Sequence, residues 1–126
     1  MAKIQSFEDL NVWQKSHTLA LEIYKITKHF PPEEKFGLVS QMRRASVSVA
    51  ANIAEGFKRR GKKDKINFYN ISQGSLTELD YYLILAKDLK YLDSYSVDKL
   101  KLDVDEVGKM LNGLISAIAS SLIPTY

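Results

Sequence analysis

From Val39 to Phe57 the chain reads Val39, Met42, Ser46, Val49, Ile53 and Phe57, with spacings of three, four, three, four and four residues. An α-helix turns once in about 3.6 residues, so this rhythm lays a single stripe along one face. Apolar residues return at helical spacing nearly everywhere else, and no segment alternates strictly enough to argue for a strand. The pattern predicts an all-α chain. A first helix over about 7–30 carries Val12, Leu19, Ile23, Ile26 and Phe30, and the second spans about 32–60. A third, over about 64–91, carries two adjacent stripes: Ser72, Leu76, Leu79, Leu83 and Ala86 beside Phe68, Ile71, Ser75, Tyr82, Leu85 and Leu89. A fourth, over about 95–122, follows Val97, Leu100, Val104, Val107, Leu111, Leu114, Ile118 and Leu122. Long helices joined by short links fold most economically as an antiparallel up-and-down four-helix bundle, here one domain over residues 1–126.

Local signals predict where these helices begin and end. Ser6 and Asp9 form a capping pair for the first. Pro31-Pro32 stops it, and Pro32 with Glu33 and Glu34 suits the first turn of the second. Gly61 is the expected terminator of the second helix, and Ser94 or Ser96 the cap of the fourth. Ala45, Ser46, Ser48, Ala50, Ala51 and Ala54 give the second helix a flank small enough for a neighbour to approach closely. The doubled stripe on the third is wider than one core face needs, so that helix is expected to meet another subunit as well.

Composition closes several routes to chemistry. There is no cysteine, hence no disulfide and no thiolate metal site. No stretch approaches the roughly 20 apolar residues of a membrane span and the opening residues show no signal-like apolar run, so a soluble cytoplasmic protein with no membrane partner is expected. His17 and His29 are too far apart for a metal-binding motif, and neither a metal nor a cofactor is expected. Ser96 and Lys99 fit S-x-x-K but stand where a helix cap belongs. Asn70-Ile71-Ser72 matches a glycosylation acceptor that has no meaning without secretion. No residue is expected to be catalytic, and the chain reads as a non-enzyme.

Charge is where the sequence speaks most clearly. Residues 41–65 hold Arg43, Arg44, Lys58, Arg59, Arg60, Lys62, Lys63 and Lys65 against Glu55 and Asp64, a local +6 in a chain whose net charge is +3. The stretch GFKRRGKK at 56–63 imitates a phosphate loop, G-x-x-x-x-G-K-[ST]. It has Lys63 where a hydroxyl should bind magnesium, bulky cations between its glycines, and a helical pattern before it instead of a strand. The remaining reading is a basic corner of Lys58, Arg59, Arg60, Lys62, Lys63 and Lys65. Such a corner is either a solvated turn or a site for a polyanion such as RNA, with Phe68 or Tyr69 available to stack on a base. Glu78, in line with Ile71, Ser75, Tyr82 and Leu85, is expected to be partly buried in an ion pair with Arg43 or Arg44. Asn52 and Glu55 sit at the end of the second helix, placed to hold the loop backbone.

Several motifs occur in order along residues 7–92: V-W-Q-K, F-P-x-x-E-x-F-G-L, Q-x-R-R-A, N-I-A-E-G and G-S-x-x-E-L. In these the chain resembles the four-helix bundle proteins encoded in intervening sequences of bacterial 23S rRNA genes, a family described as ribosomal-protein-like. The resemblance implies an up-and-down bundle assembled as a ring-like homopentamer, which would account for the doubled stripe. More distantly the chain is similar to the accessory protein of diversity-generating retroelements, a basic pentameric bundle that binds a reverse transcriptase and nucleic acid. Two functions therefore stand: an oligomeric nucleic-acid-binding bundle acting through the 58–65 corner, or a scaffold that docks a protein through Tyr81, Tyr91 and Tyr95 or through the same corner.

Overall fold

A computed structural model describes residues 3–121. Four helices, α1 (Asn11–Thr27), α2 (Leu38–Lys58), α3 (Lys62–Asp88) and α4 (Ser94–Ser120), form an all-α four-helix bundle, with no strand among the described residues. Each packs on the next in sequence and α4 returns to α1, the closed square of an up-and-down arrangement. The α2–α3 seam is the most intimate and the α1–α4 seam the loosest. At about 1.5 Å per residue α3 and α4 are about 40 Å long, and α1 is much shorter.

The core is built from the stripes read in the sequence. Leu19, Ile23, Met42, Val49, Ile53, Leu79, Leu83, Val107 and Leu111 are buried, with Ser46 and Ser72 among them. Buried hydroxyls need partners, and each finds a carbonyl or another hydroxyl. Ser72 donates across the seam to the Val49 carbonyl at 2.8 Å, and the Ser48 and Ser75 hydroxyls meet at 2.8 Å. Only small residues let two backbones come that close. The fourth stripe is buried as far as Leu111; Leu114 and Ile118 are half-buried, and the expected Leu122 lies outside the described residues.

Helix ends depart from the local signals. The Ser6–Asp9 box exists, with Asp9 accepting from the Ser6 amide at 3.1 Å, but it closes a 3-10 turn, Phe7–Asp9; α1 starts at Asn11 after the extended Leu10. Amide bonds from Gln5, at 2.9 Å, and from Ser6 hold the Asp9 carboxyl below the usual carboxylate range. Pro32–Glu34 is likewise a separate 3-10 turn, and α2 begins only at Leu38. Glu34 still caps it, accepting from the Leu38 amide at 3.1 Å and from the Tyr91 hydroxyl at 2.9 Å. Gly61 does not terminate α2. Its backbone is extended and it precedes α3, which opens two residues earlier than expected. α3 ends at Asp88, where Lys90 takes a left-handed φ of 65° and lets the Tyr91 amide reach the Ala86 carbonyl. Asp93, not Ser94 or Ser96, caps α4: it accepts from the Ser96 amide at 2.7 Å, which lowers its carboxyl pKa.

Candidate nucleic-acid interface

The six cations of the corner take up distinct positions once α2 ends at Lys58. Arg59 and Arg60 lie in the link, and Lys62, Lys63 and Lys65 fall in the first turn of α3. Cations there face the positive end of the helix dipole, an arrangement that a bound anion relieves. Lys65 is the least available. Its amine turns back to donate to the Phe57 carbonyl at 2.8 Å and the Gly56 carbonyl at 3.2 Å, capping α2 from the following helix. Lys62 reaches across to the Ser121 carbonyl at 2.7 Å. Arg59 is paired with Glu55 at 3.2 Å, and its guanidinium carbon lies 4.6 Å from the centre of the Phe68 ring. Lys58, Arg60 and Lys63 are exposed, and among the described residues none of the three has a hydrogen-bond or ion-pair partner.

Several residues singled out in the sequence do something else. Tyr69, offered as a stacking face, is only 2 % exposed, and burial raises its phenol pKa. Phe68 is half-buried under Arg59. Asn52 donates to the Ser48 carbonyl and hydroxyl on its own helix and does not touch the loop; Glu55 does, through Arg59. Glu78 is exposed, not buried, and Arg44 stands 3.6 Å from it in a surface pair. Arg43 turns to the opposite seam, where Nε donates to the Thr27 hydroxyl at 3.0 Å and the guanidinium covers the Tyr24 ring. Tyr91 is occupied by Glu34, whereas Tyr81 and Tyr95 are exposed. Among the described residues no group of three or more His, Asp or Glu side chains could hold a metal, and no helix is long and apolar enough to cross a membrane.

A second surface feature was not read from the sequence. Between α1 and α2 runs an apolar groove of about 480 Å³, walled by Trp13, His17, Leu21 and Tyr24 on one side and Val47, Ala51 and Ala54 on the other. Trp13 and His17 stack with ring centres 4.9 Å apart. The small flank of α2 was the available signal, but it does not say which of its alanines a neighbouring helix covers. The opposite seam, between α1 and α4, has polar residues over a floor of Leu19, Val107 and Met110 and is bridged by Lys15 and Glu106 at 2.8 Å.

With this geometry in place, the comparisons with known proteins converge. Residues 8–113 match the family described as 23S rRNA-intervening sequence protein. A crystal structure of a protein of unknown function from the S23 ribosomal protein family of Bacteroides thetaiotaomicron is similar, with a TM-score of 0.75 and 28% identity. The match covers 82% of this chain and 97% of that one. No curated protein matches.

Proposed function

The chain belongs to the 23S rRNA-intervening sequence protein family, and from that membership we propose that it is a non-enzymatic oligomeric bundle that binds RNA or another nucleic acid through the corner between α2 and α3. The observation that carries this reading is the exposed trio Lys58, Arg60 and Lys63, unpartnered among the described residues and spread over the last residue of α2, the link and the first turn of α3. Lysines and arginines displace counterions from a phosphate polymer, which gives salt-dependent and sequence-tolerant binding. The test is a salt titration of binding to a structured RNA and to a single strand. Wild type is expected to lose affinity linearly in log–log form. Alanine at Lys58, Arg60, Lys62 and Lys63 is expected to flatten the slope by up to about 0.9 per lost duplex phosphate contact, or about 0.7 for a single strand. No retention of either RNA at low salt would sink the reading.

The proposal extends to assembly. Ile71 (43% exposed), Tyr81 (56%) and Leu89 (46%) leave an apolar flank of α3 uncovered by its own bundle. A ring of five, the size implied by the family resemblance, would cover that flank and present five corners, so that modest contacts add through multivalency. Light scattering is expected to give about five times the chain mass, with Ile71→Arg plus Leu89→Arg shifting it toward a single chain. A wild type that stays monomeric at micromolar concentration would refute the ring.

The α1–α2 groove and the exposed Tyr81 and Tyr95 favour a second reading, a scaffold for a protein partner without nucleic acid. Pull-downs with and without nuclease separate the two, because only a protein-docked partner survives digestion.

A further inference from the structure

We propose that Arg59 is a stacking platform for an unpaired base, so that the corner takes a nucleic-acid strand with free bases in preference to a continuous duplex. This rests on the nucleic-acid reading above and names its ligand. Of the two arginines of the corner, Arg59 is the one fixed on two sides. Its guanidinium carbon lies over the Phe68 ring, 4.6 Å from the ring centre, and Nη2 is paired with the Glu55 carboxylate at 3.2 Å. The side chain nevertheless remains 43% exposed.

Glu55 offsets the charge of Arg59, so this arginine is a poorer phosphate ligand than Lys58, Arg60 or Lys63. What it offers is a flat, weakly hydrated face without donors, already seated on an aromatic ring. Guanidinium planes accept nucleobases in this way, and because every base has a π-face the contact tolerates any sequence. The rings nearby cannot take that part. Tyr69 is buried, Phe68 is covered by Arg59 itself, and Phe57 lies beneath the Lys65 amine at 5.6 Å. Lys58, Arg60 and Lys63, by contrast, have free ammonium and guanidinium groups for the phosphates on either side of a stacked base. The corner thus divides its labour between phosphate contacts and one base contact. A duplex exposes its base faces only at its ends, so it satisfies the first and not the second.

The experiment uses the full chain and its Arg59→Lys and Lys63→Ala variants against three probes: an oligouridylate, a blunt RNA duplex of the same length, and inorganic polyphosphate of similar charge. Arg59→Lys keeps the charge and removes the plane. It is expected to weaken oligouridylate binding roughly fivefold or more, with duplex and polyphosphate binding unchanged. Lys63→Ala is expected to weaken all three. A further variant, Phe68→Leu, removes the seat beneath Arg59 and is expected to reproduce the selective loss. The stacking role is overturned if Arg59→Lys leaves oligouridylate binding intact or weakens all three probes equally. If wild type retains none of the probes, the corner reading falls, and the platform with it.

Discussion

Tyr69→Ala is expected to lower the unfolding free energy by about 3–5 kcal/mol, the range for emptying a large aromatic site in a core. Tyr69 is among the largest fully buried side chains, and its ring lies against Gly56 across the α2–α3 seam. Few residues around it can collapse into the void, because the seam is already held by the Ser72–Val49 and Ser48–Ser75 hydrogen bonds. Urea unfolding is expected to show a lower midpoint at unchanged slope, which marks lost stability without a change in the surface exposed. Tyr69→Phe keeps the ring and is expected to retain most of the stability. The experiment also separates two roles. A tyrosine that served as an exposed stacking face would lose RNA affinity on truncation and leave the melt nearly unchanged. A stability loss below about 1 kcal/mol would show that the ring is not part of the core.

The bundle was legible because burial in a helix is periodic. Val39, Met42, Val49 and Ile53 follow the 3.6-residue repeat, and all four are buried. The ends were less legible because their partners are not local. Gly61 looked like a terminator, yet the α2 carbonyls are capped by the Lys65 amine from the next helix. In the sequence Arg43 and Arg44 are equivalent alternatives as the partner of Glu78. Successive helical residues point about 100° apart, so Arg44 faces the α3 seam and Arg43 the α1 seam. Glu78 was misplaced for a related reason. It lies in line with Ile71, Ser75, Tyr82 and Leu85, but that line is the margin of the covered face: Ser75 is buried and Tyr82 and Leu85 pack partly against the core, while Ile71 and Glu78 stay exposed. An apolar stripe marks a face that seeks cover and does not say whether its own chain supplies it.

The basic corner was visible as composition, but its internal order was not. Which of six cations is free depends on where α2 stops and which ring lies under Arg59, both set by tertiary contacts. The same limit hid the α1–α2 groove, whose aromatic wall comes from α1 and whose small wall comes from α2.

Gly56→Val is expected to cost about 3 kcal/mol, the upper part of the range for overpacked cores. The glycine lies inside α2, where alanine alone would gain about 1 kcal/mol of helix propensity. A Cβ there would meet the Tyr69 ring at 2.7 Å and the Phe68 Cβ at 3.2 Å, and neither is the loose end of a flexible side chain. Gly74 supplies the contrast. A Cβ added there meets nothing within 4 Å, so Gly74→Ala is expected to stabilise the chain by about 0.5–1 kcal/mol. The glycine of N-I-A-E-G is therefore required by close approach, since no glycine among the described residues has a positive φ. If that is the cause, the clash should be relieved when the ring is removed. In a double-mutant cycle, Gly56→Val and Tyr69→Ala together are expected to cost at least about 1 kcal/mol less than their separate losses combined, because the valine methyls occupy the space of the missing ring. Strictly additive losses would locate the cost of Gly56→Val elsewhere. A rescued fold would still carry a displaced Phe68, so the double variant should recover stability before it recovers the seat of Arg59.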